Sequence, residues 1–168
     1  MFIRQETPQE HDQIHDLVKV AFQTAKVSNG KEQDFVDQLR NSGNYIPDLA
    51  LVAEENEILI GHIMLTKKSI ATNNTEIETL LLAPLSVVLE YRNKGVGSRL
   101  IKKSFDLARL LGYKSVCLVG DPTYYHRFGF RCSSDFGIKP ENDIPSQYVL
   151  ACELAPNSLQ GINGTIRF

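Results

Sequence analysis

The sequence of 168 residues predicts a mixed α/β fold around one hydrophobic core. Three observations lead there. Amphipathic stretches at helical spacing alternate with short apolar runs of strand character. One run, Glu76 to Leu89, is apolar enough for a central strand covered on both faces. A turn with two glycines, Tyr91-Arg92-Asn93-Lys94-Gly95-Val96-Gly97-Ser98, then joins that run to a helical pattern. A chain of this length is expected to be a single domain over 1–168, with an irregular Gly-, Asn- and Ser-rich tail from Ala155 to Phe168.

The elements follow in order. Phe2 to Glu6 alternates apolar and polar as a first strand. Thr7-Pro8-Gln9-Glu10 starts a helix, with Thr7 as N-cap, Pro8 at the first helical position and Glu10 closing a capping box. Ile14, Leu17, Val18, Ala21 and Phe22 form its apolar face. A second helix is expected over Lys31 to Asn41, carrying Phe35, Val36 and Leu39. Leu49 to Glu54 and Glu57 to Thr66 are strands joined at Asn56. In the run from Glu76, Pro84 has no N–H for a ladder, so the strand is expected either to break there or to turn that position from its partner. From Gly95 to Gly112 the pattern is helical, with Val96, Leu100, Ile101, Phe105, Ala108 and Leu111 on one side. Ser115 to Val119 is a buried-type strand, Pro122 to Phe128 a short helix or turn, and Tyr148 to Leu154 the last strand expected.

Composition narrows the function classes. Apolar residues make up 42% and charged residues 23%, and the net charge is −2, so no global basic field recruits nucleic acid or an anionic membrane. The three cysteines, Cys117, Cys132 and Cys152, have neither an even count nor metal-type spacing. No disulfide framework and no metal site are expected, and a reducing cytoplasm is. The N-terminus has no signal-peptide pattern, and the apolar stretch from Leu80 to Leu89 is too short to span a bilayer.

The glycine turn has the makings of an anion seat. The first N–H groups of a helix have no internal partner, and the helix dipole favours negative charge there. Gly95 and Gly97 lack Cβ, and Arg92, Lys94 and Arg99 add positive charge. A P-loop would place its lysine after the glycines, and a dinucleotide fingerprint would need a glycine where Leu100 stands. From the turn alone two readings stay open: a seat for a phosphate or pyrophosphate, and a tight turn serving only helix–sheet packing.

Arg92-x-x-Gly95-x-Gly97 after an apolar strand resembles the pyrophosphate loop of the GNAT superfamily of acyl-CoA-dependent N-acetyltransferases. Tyr125-His126-Arg127-Phe128-Gly129-Phe130 resembles that superfamily's Y-x-x-x-G-F segment, with one helix and one strand between the two motifs. Leu118-Val119-Gly120-Asp121-Pro122, Gly61-His62 and Leu159-Gln160-Gly161-Ile162-Asn163-Gly164-Thr165 are similar to the YhbS-like branch in particular. The chain departs from the common pattern with Leu89 in place of Pro and Asn93 in place of Gly; asparagine tolerates positive φ, so the turn is expected to form.

The resemblance implies a mixed, mostly antiparallel central sheet flanked by helices and splayed at the fourth strand. It implies acetyl-CoA as acyl donor, with the amides of Asn93, Lys94, Gly95, Val96, Gly97 and Ser98 around its pyrophosphate beside Arg92. The main chain of Leu85, Ser86 and Val87 would pair with the pantetheine arm, and the Val87 N–H would serve the oxyanion. Tyr125 matches the general acid, with Tyr124 as the alternative one residue away. The acceptor would be a primary amine of a small molecule or peptide. Glu78, Glu32, His62 and His126 are candidates for its base. A non-catalytic acyl-CoA-binding module on the same fold remains the alternative. Acceptor identity and oligomeric state leave no trace in the sequence.

Overall fold

The expected capping box is present, with the Thr7 N–H donating to the Glu10 carboxylate at 2.8 Å. It closes the strand β1 (Phe2–Gln5) and, after one 3-10 turn at Pro8–Glu10, admits the helix α1 (His11–Phe22). The computed structural model describes all 168 residues, Met1–Phe168. Ile14, Val18 and Ala21 of α1 are buried, and Leu17 and Phe22 pack beside them, so the helical spacing read from the sequence is the packed face. The second helix, α2 (Glu32–Arg40), buries Val36, whereas Phe35 lies toward solvent.

β2 (Ala50–Glu55) and β3 (Ile58–Ala71) form a hairpin through two residues, Asn56 and Glu57, at φ +53° and +64°. Both central residues are left-handed, as a hairpin turn matched to strand twist requires. β3 runs past the expected stop at Thr66, because Ile70 is buried in an apolar cluster and Ala71 pairs with Thr165. β4 (Glu76–Val87) passes through Pro84 without a break.

α3 (Val96–Leu110) buries Val96, Leu100, Ile101, Phe105 and Ala108. Leu111, expected on the same face, follows the last helical residue and is 46% exposed. β5 (Ser115–Val119) has the predicted bounds, and α4 (Pro122–Tyr125) is capped by Asp121. Then come β6 (Arg131–Cys132), β7 (Ile138–Pro140), β8 (Val149–Glu153) and β9 (Gly164–Ile166). β9 corrects the expectation of an irregular tail: three residues are too few for a periodic signal, and they become a strand by pairing with β3 and β7.

The chain forms two compact units, Met1–Thr66 with Leu82–Ala108, and Lys67–Leu81 with Arg109–Phe168. In the first the strand order is β1-β2-β3-β4, with β1/β2 and β2/β3 antiparallel. Ile14, Val18, Val36, Ala50, Val52 and Met64 pack together there. In the second the order is β4-β5-β8-β6. β4 and β5 pair in parallel at Leu80–Val116 and Leu81–Cys117, and β8 is antiparallel to both β5 and β6. The fold is therefore mixed, with mostly antiparallel pairing. No helix is long and apolar enough to cross a membrane.

Candidate active site

The glycine turn lies wholly in the first unit. Beyond β4, one 3-10 turn at Leu89–Tyr91 carries the chain to Arg92. Asn93 then stands at φ +61° and Gly95 at φ +81°. Asn93 adopts the left-handed conformation that its short amide side chain tolerates, so the common glycine is not needed there. The Arg99 N–H reaches the Gly95 carbonyl at 3.0 Å, the first full helical bond of α3. The N–H groups of Val96, Gly97 and Ser98 therefore lack intrahelical acceptors. Asn93, Lys94 and Gly95 are exposed, Val96 and Gly97 are buried, and a Cβ built on Gly95 meets nothing within 4 Å. The backbone at Gly95 is thus open to close approach, and left-handed residues ahead of a helix start are a feature of anion-binding turns. The Lys94 ammonium rests 5.3 Å from the centre of the Tyr91 ring.

Arg92 is committed elsewhere. Its Nε donates to the Val87 carbonyl at 3.3 Å, Nη1 to Thr24 Oγ1 at 2.6 Å and Nη2 to the Ala21 carbonyl at 2.6 Å. The Val88 N–H meets the Ile60 carbonyl at 2.9 Å, so this part of β4 faces β3 through its even-numbered residues. Backbone groups of Leu85 and Val87 then point to the opposite edge, while the side chain of Ser86 is buried and its Oγ has no partner. Gly61 explains how α3 sits so close to β3. A Cβ there would meet Leu100 Cδ1 at 2.9 Å, Val96 Cγ1 at 3.1 Å and the Ser86 carbonyl at 3.2 Å.

In the second unit, the Asp121 carboxylate accepts from the Thr123 N–H at 3.0 Å and its hydroxyl at 2.7 Å, starting the turn that carries Tyr125. The Tyr125 ring packs edge-on against Tyr124 and Phe130, with centroids 5.0 and 5.7 Å away. A Cβ on Gly120 would strike its Cε2 at 2.8 Å, so that glycine makes room for the ring. Burial, with smaller contributions from Tyr124 and Asp121, pushes the Tyr125 phenol well above its usual range. It therefore keeps its proton at neutral pH. Burial also raises Tyr124, against the opposing charge of Arg127, whose guanidinium lies 4.8 Å from the Tyr124 ring centre.

The candidate bases are scattered. Glu78 is exposed on β4, and Burial together with Glu78's charge raises the phenol of Tyr113. Glu32 accepts from the Ser28 hydroxyl and, at 3.1 Å, from the Asn29 N–H, and so ties the approach to α2. His126 Nδ1 lies 3.2 Å from the Pro122 carbonyl in its own turn. His62 belongs to a buried charge cluster that the sequence did not reveal. Its Nε2 is 2.9 Å from Glu6 Oε2, and Glu6 also accepts from Arg40 at 2.8 and 3.0 Å and from the Tyr45 hydroxyl at 2.9 Å. Burial alone would raise the Glu6 carboxyl, but His62 and Arg40 outweigh it and bring it down to about 2. Burial holds His62 below its usual value and, with the Glu6 charge, pushes Tyr45 up to about 12. Arg40, Tyr45 and His62 lie 34 to 56 positions from Glu6 in the chain, so no local pattern announces the cluster.

Comparison with known proteins bears on the same elements. The model of the acetyltransferase (GNAT) domain matches residues 2–133. The uncharacterized N-acetyltransferase YjhQ of Escherichia coli is 38% identical over 122 residues, which cover 70% of this chain and 66% of that protein. Its counterpart YhbS is 25% identical over 168 residues, covering 100% of this chain and 96% of that protein. The crystal structure of E. coli YhbS in complex with CoA superposes with a TM-score of 0.85 at 26% identity, over 99% of this chain and 88% of that one. An acetyltransferase from Brucella melitensis in complex with acetyl-CoA gives 0.79 at 29% identity, over 99% and 94%.

Proposed function

The chain belongs to the GNAT family of acetyltransferases, and on that premise we propose that it carries an acetyl group from acetyl-CoA to a primary amine by direct attack in a ternary complex. The observation that carries this reading is the turn itself, in which left-handed Asn93 and Gly95 lead into an α3 start with open N–H groups. The amides of Asn93 to Ser98 are the proposed seat of the pyrophosphate, and Lys94 adds its charge at the exposed rim. Leu85, Ser86 and Val87 are assigned to the pantetheine arm through their main chain, with Leu85 and Val87 offering the backbone groups that point away from β3.

The donor supplies an activated thioester; the chain's residues position and stabilise. The amine nitrogen forms a bond to the carbonyl carbon, and the Val87 N–H takes the developing negative charge on oxygen. As the carbon–sulfur bond breaks, Tyr125 would give its proton to the departing sulfur, and the proton shed by the amine nitrogen would return through water to the phenolate, leaving amide, thiol and neutral Tyr125. Burial keeps the phenol protonated, as a proton donor must be, and the reading requires it to come within reach of the sulfur once the donor is bound. Alignment of the two reactants removes up to roughly 7–11 kcal/mol of the bimolecular cost.

Calorimetric titration with CoA and acetyl-CoA, followed by a thiol-release assay over a panel of primary amines, tests the reading. Saturable binding of both and release of CoA with at least one amine is the expected outcome. Binding with no release on any amine would instead assign the chain to non-catalytic acyl-CoA binding. Absence of binding would remove the reading altogether.

A further inference from the structure

Arg92 occupies the first position of the turn, where a positive charge invites the role of phosphate ligand. Its hydrogen bonds point elsewhere. All three donor nitrogens are directed at protein oxygens: the Val87 carbonyl, Thr24 Oγ1 and the Ala21 carbonyl. Ala21 is in the last turn of α1, where carbonyls lack helical donors and a cation is favoured by the helix dipole. The Ala25 N–H bonds the Phe22 carbonyl, and so leaves that of Ala21 to the guanidinium.

The Val87 end matters more for chemistry. The peptide unit joining Val87 to Val88 is held from both sides, its C=O by Arg92 Nε at 3.3 Å and its N–H by the Ile60 carbonyl at 2.9 Å. Fixing that plane holds one of the two peptide units that meet at Val87, and only the φ and ψ of Val87 then separate it from the unit that carries the Val87 N–H. One rigid fork thus ties the exit of α1 to the segment of β4 that presents the backbone. Lysine, with a single compact ammonium on a flexible stem, does not reproduce such a three-way fork.

We propose that Arg92 is a positioning residue that aims the Val87 main chain by bracing it against Ala21 and Thr24, and is not itself a ligand of the anion. The inference rests on the proposed acetyl transfer for its catalytic consequence, while the brace is testable without it.

The experiment uses the full chain as wild type, Thr24→Val, Arg92→Ala, Arg92→Lys and the Thr24→Val/Arg92→Ala double variant. Amide hydrogen exchange is read in the absence of ligand, CoA affinity by calorimetry, and turnover by CoA release with an amine that the wild type accepts. Thr24→Val removes one acceptor of the fork without touching the turn. It should speed exchange at the Val88 N–H about fivefold and lower kcat by a similar factor, as loss of one solvent-exposed hydrogen bond implies, with CoA affinity kept within about twofold. Arg92→Ala should lower kcat about thirtyfold, the double variant no further, and lysine should fail to restore it. The proposal is overturned if Thr24→Val leaves both exchange and kcat as in wild type, or lowers only thermal stability. It is equally overturned if Arg92→Ala weakens CoA binding tenfold or more and lysine rescues it, the behaviour of a charge that grips phosphate. A wild type that neither binds nor consumes acetyl-CoA sinks the functional reading instead, and exchange at Val88 in Thr24→Val then decides the brace alone.

Discussion

Two polar regions of the first unit make a useful contrast. Around Glu6 every charge is answered: Arg40, Tyr45 and His62 converge on a carboxylate only 1% exposed, and the strongest depression of a carboxyl in the molecule results. Around Asn93–Ser98 the polar groups are main-chain N–H donors left open by the geometry of a helix start. The first arrangement stores its electrostatics internally and is a matter of stability. The second is left open within the chain, and it is the proposed function that has a ligand's phosphates complete it. A shifted pKa in this protein therefore marks architecture at Glu6, although such shifts often mark active sites.

The contrast can be broken most forcefully at Glu6. Glu6→Gln leaves buried Arg40 with only the more exposed Asp37, 3.1 Å away, as counter-charge and should cost about 3 kcal/mol in urea unfolding at pH 7. The pH dependence has a definite sign. The Glu6 pKa is lowered from 4.5 to about 2 on folding, so its contribution is full above about pH 5 and is lost as the pH falls toward 2. The gap between wild type and Glu6→Gln should narrow accordingly at pH 3. A constant gap would place the stabilisation elsewhere.

On the open side, Tyr125→Phe should lower kcat about a hundredfold while CoA affinity, by calorimetry, changes less than twofold. Equal rates on every accepted amine would strip Tyr125 of its role. Gly61→Ala tests whether the turn is held by close packing of α3 on β3. The added methyl would have to displace Leu100, Val96 and the Ser86 carbonyl, at about 1–3 kcal/mol, seen as a lowered Tm. Gly95→Ala is the gentlest case. Its surroundings are empty, so only the φ of +81° is strained, at about 1 kcal/mol, with Gly95→Asn milder still. A Gly95→Ala cost above that of Gly61→Ala would mean that the turn is packed and not open.

Much of the fold was legible because the relevant forces are local. The Thr7–Glu10 box, the Pro122 start after Asp121, the strand Ser115–Val119 and the left-handed Asn93 each follow from a few adjacent residues. β9 and the far end of β3 escaped notice because they exist through pairing and burial of Ile70 and Ile166, which periodicity over three residues does not report. In the candidate site, the left-handed turn into an open helix start was legible, while the roles proposed for it and for Tyr125 come from the family resemblance. The destination of the Arg92 side chain was not, since its partners Ala21 and Thr24 lie 71 and 68 positions away.

By itself, then, the sequence determined where the backbone turns, where helices begin and which faces are apolar. Those properties depend on dihedral preference and on side chains within one or two turns of each other. Only the tertiary structure decided which charges are consumed internally and which donors stay open. Arg92 and Arg40 are the same residue type with the same charge, and what each does is set by the oxygens that folding brings to it from distant parts of the chain.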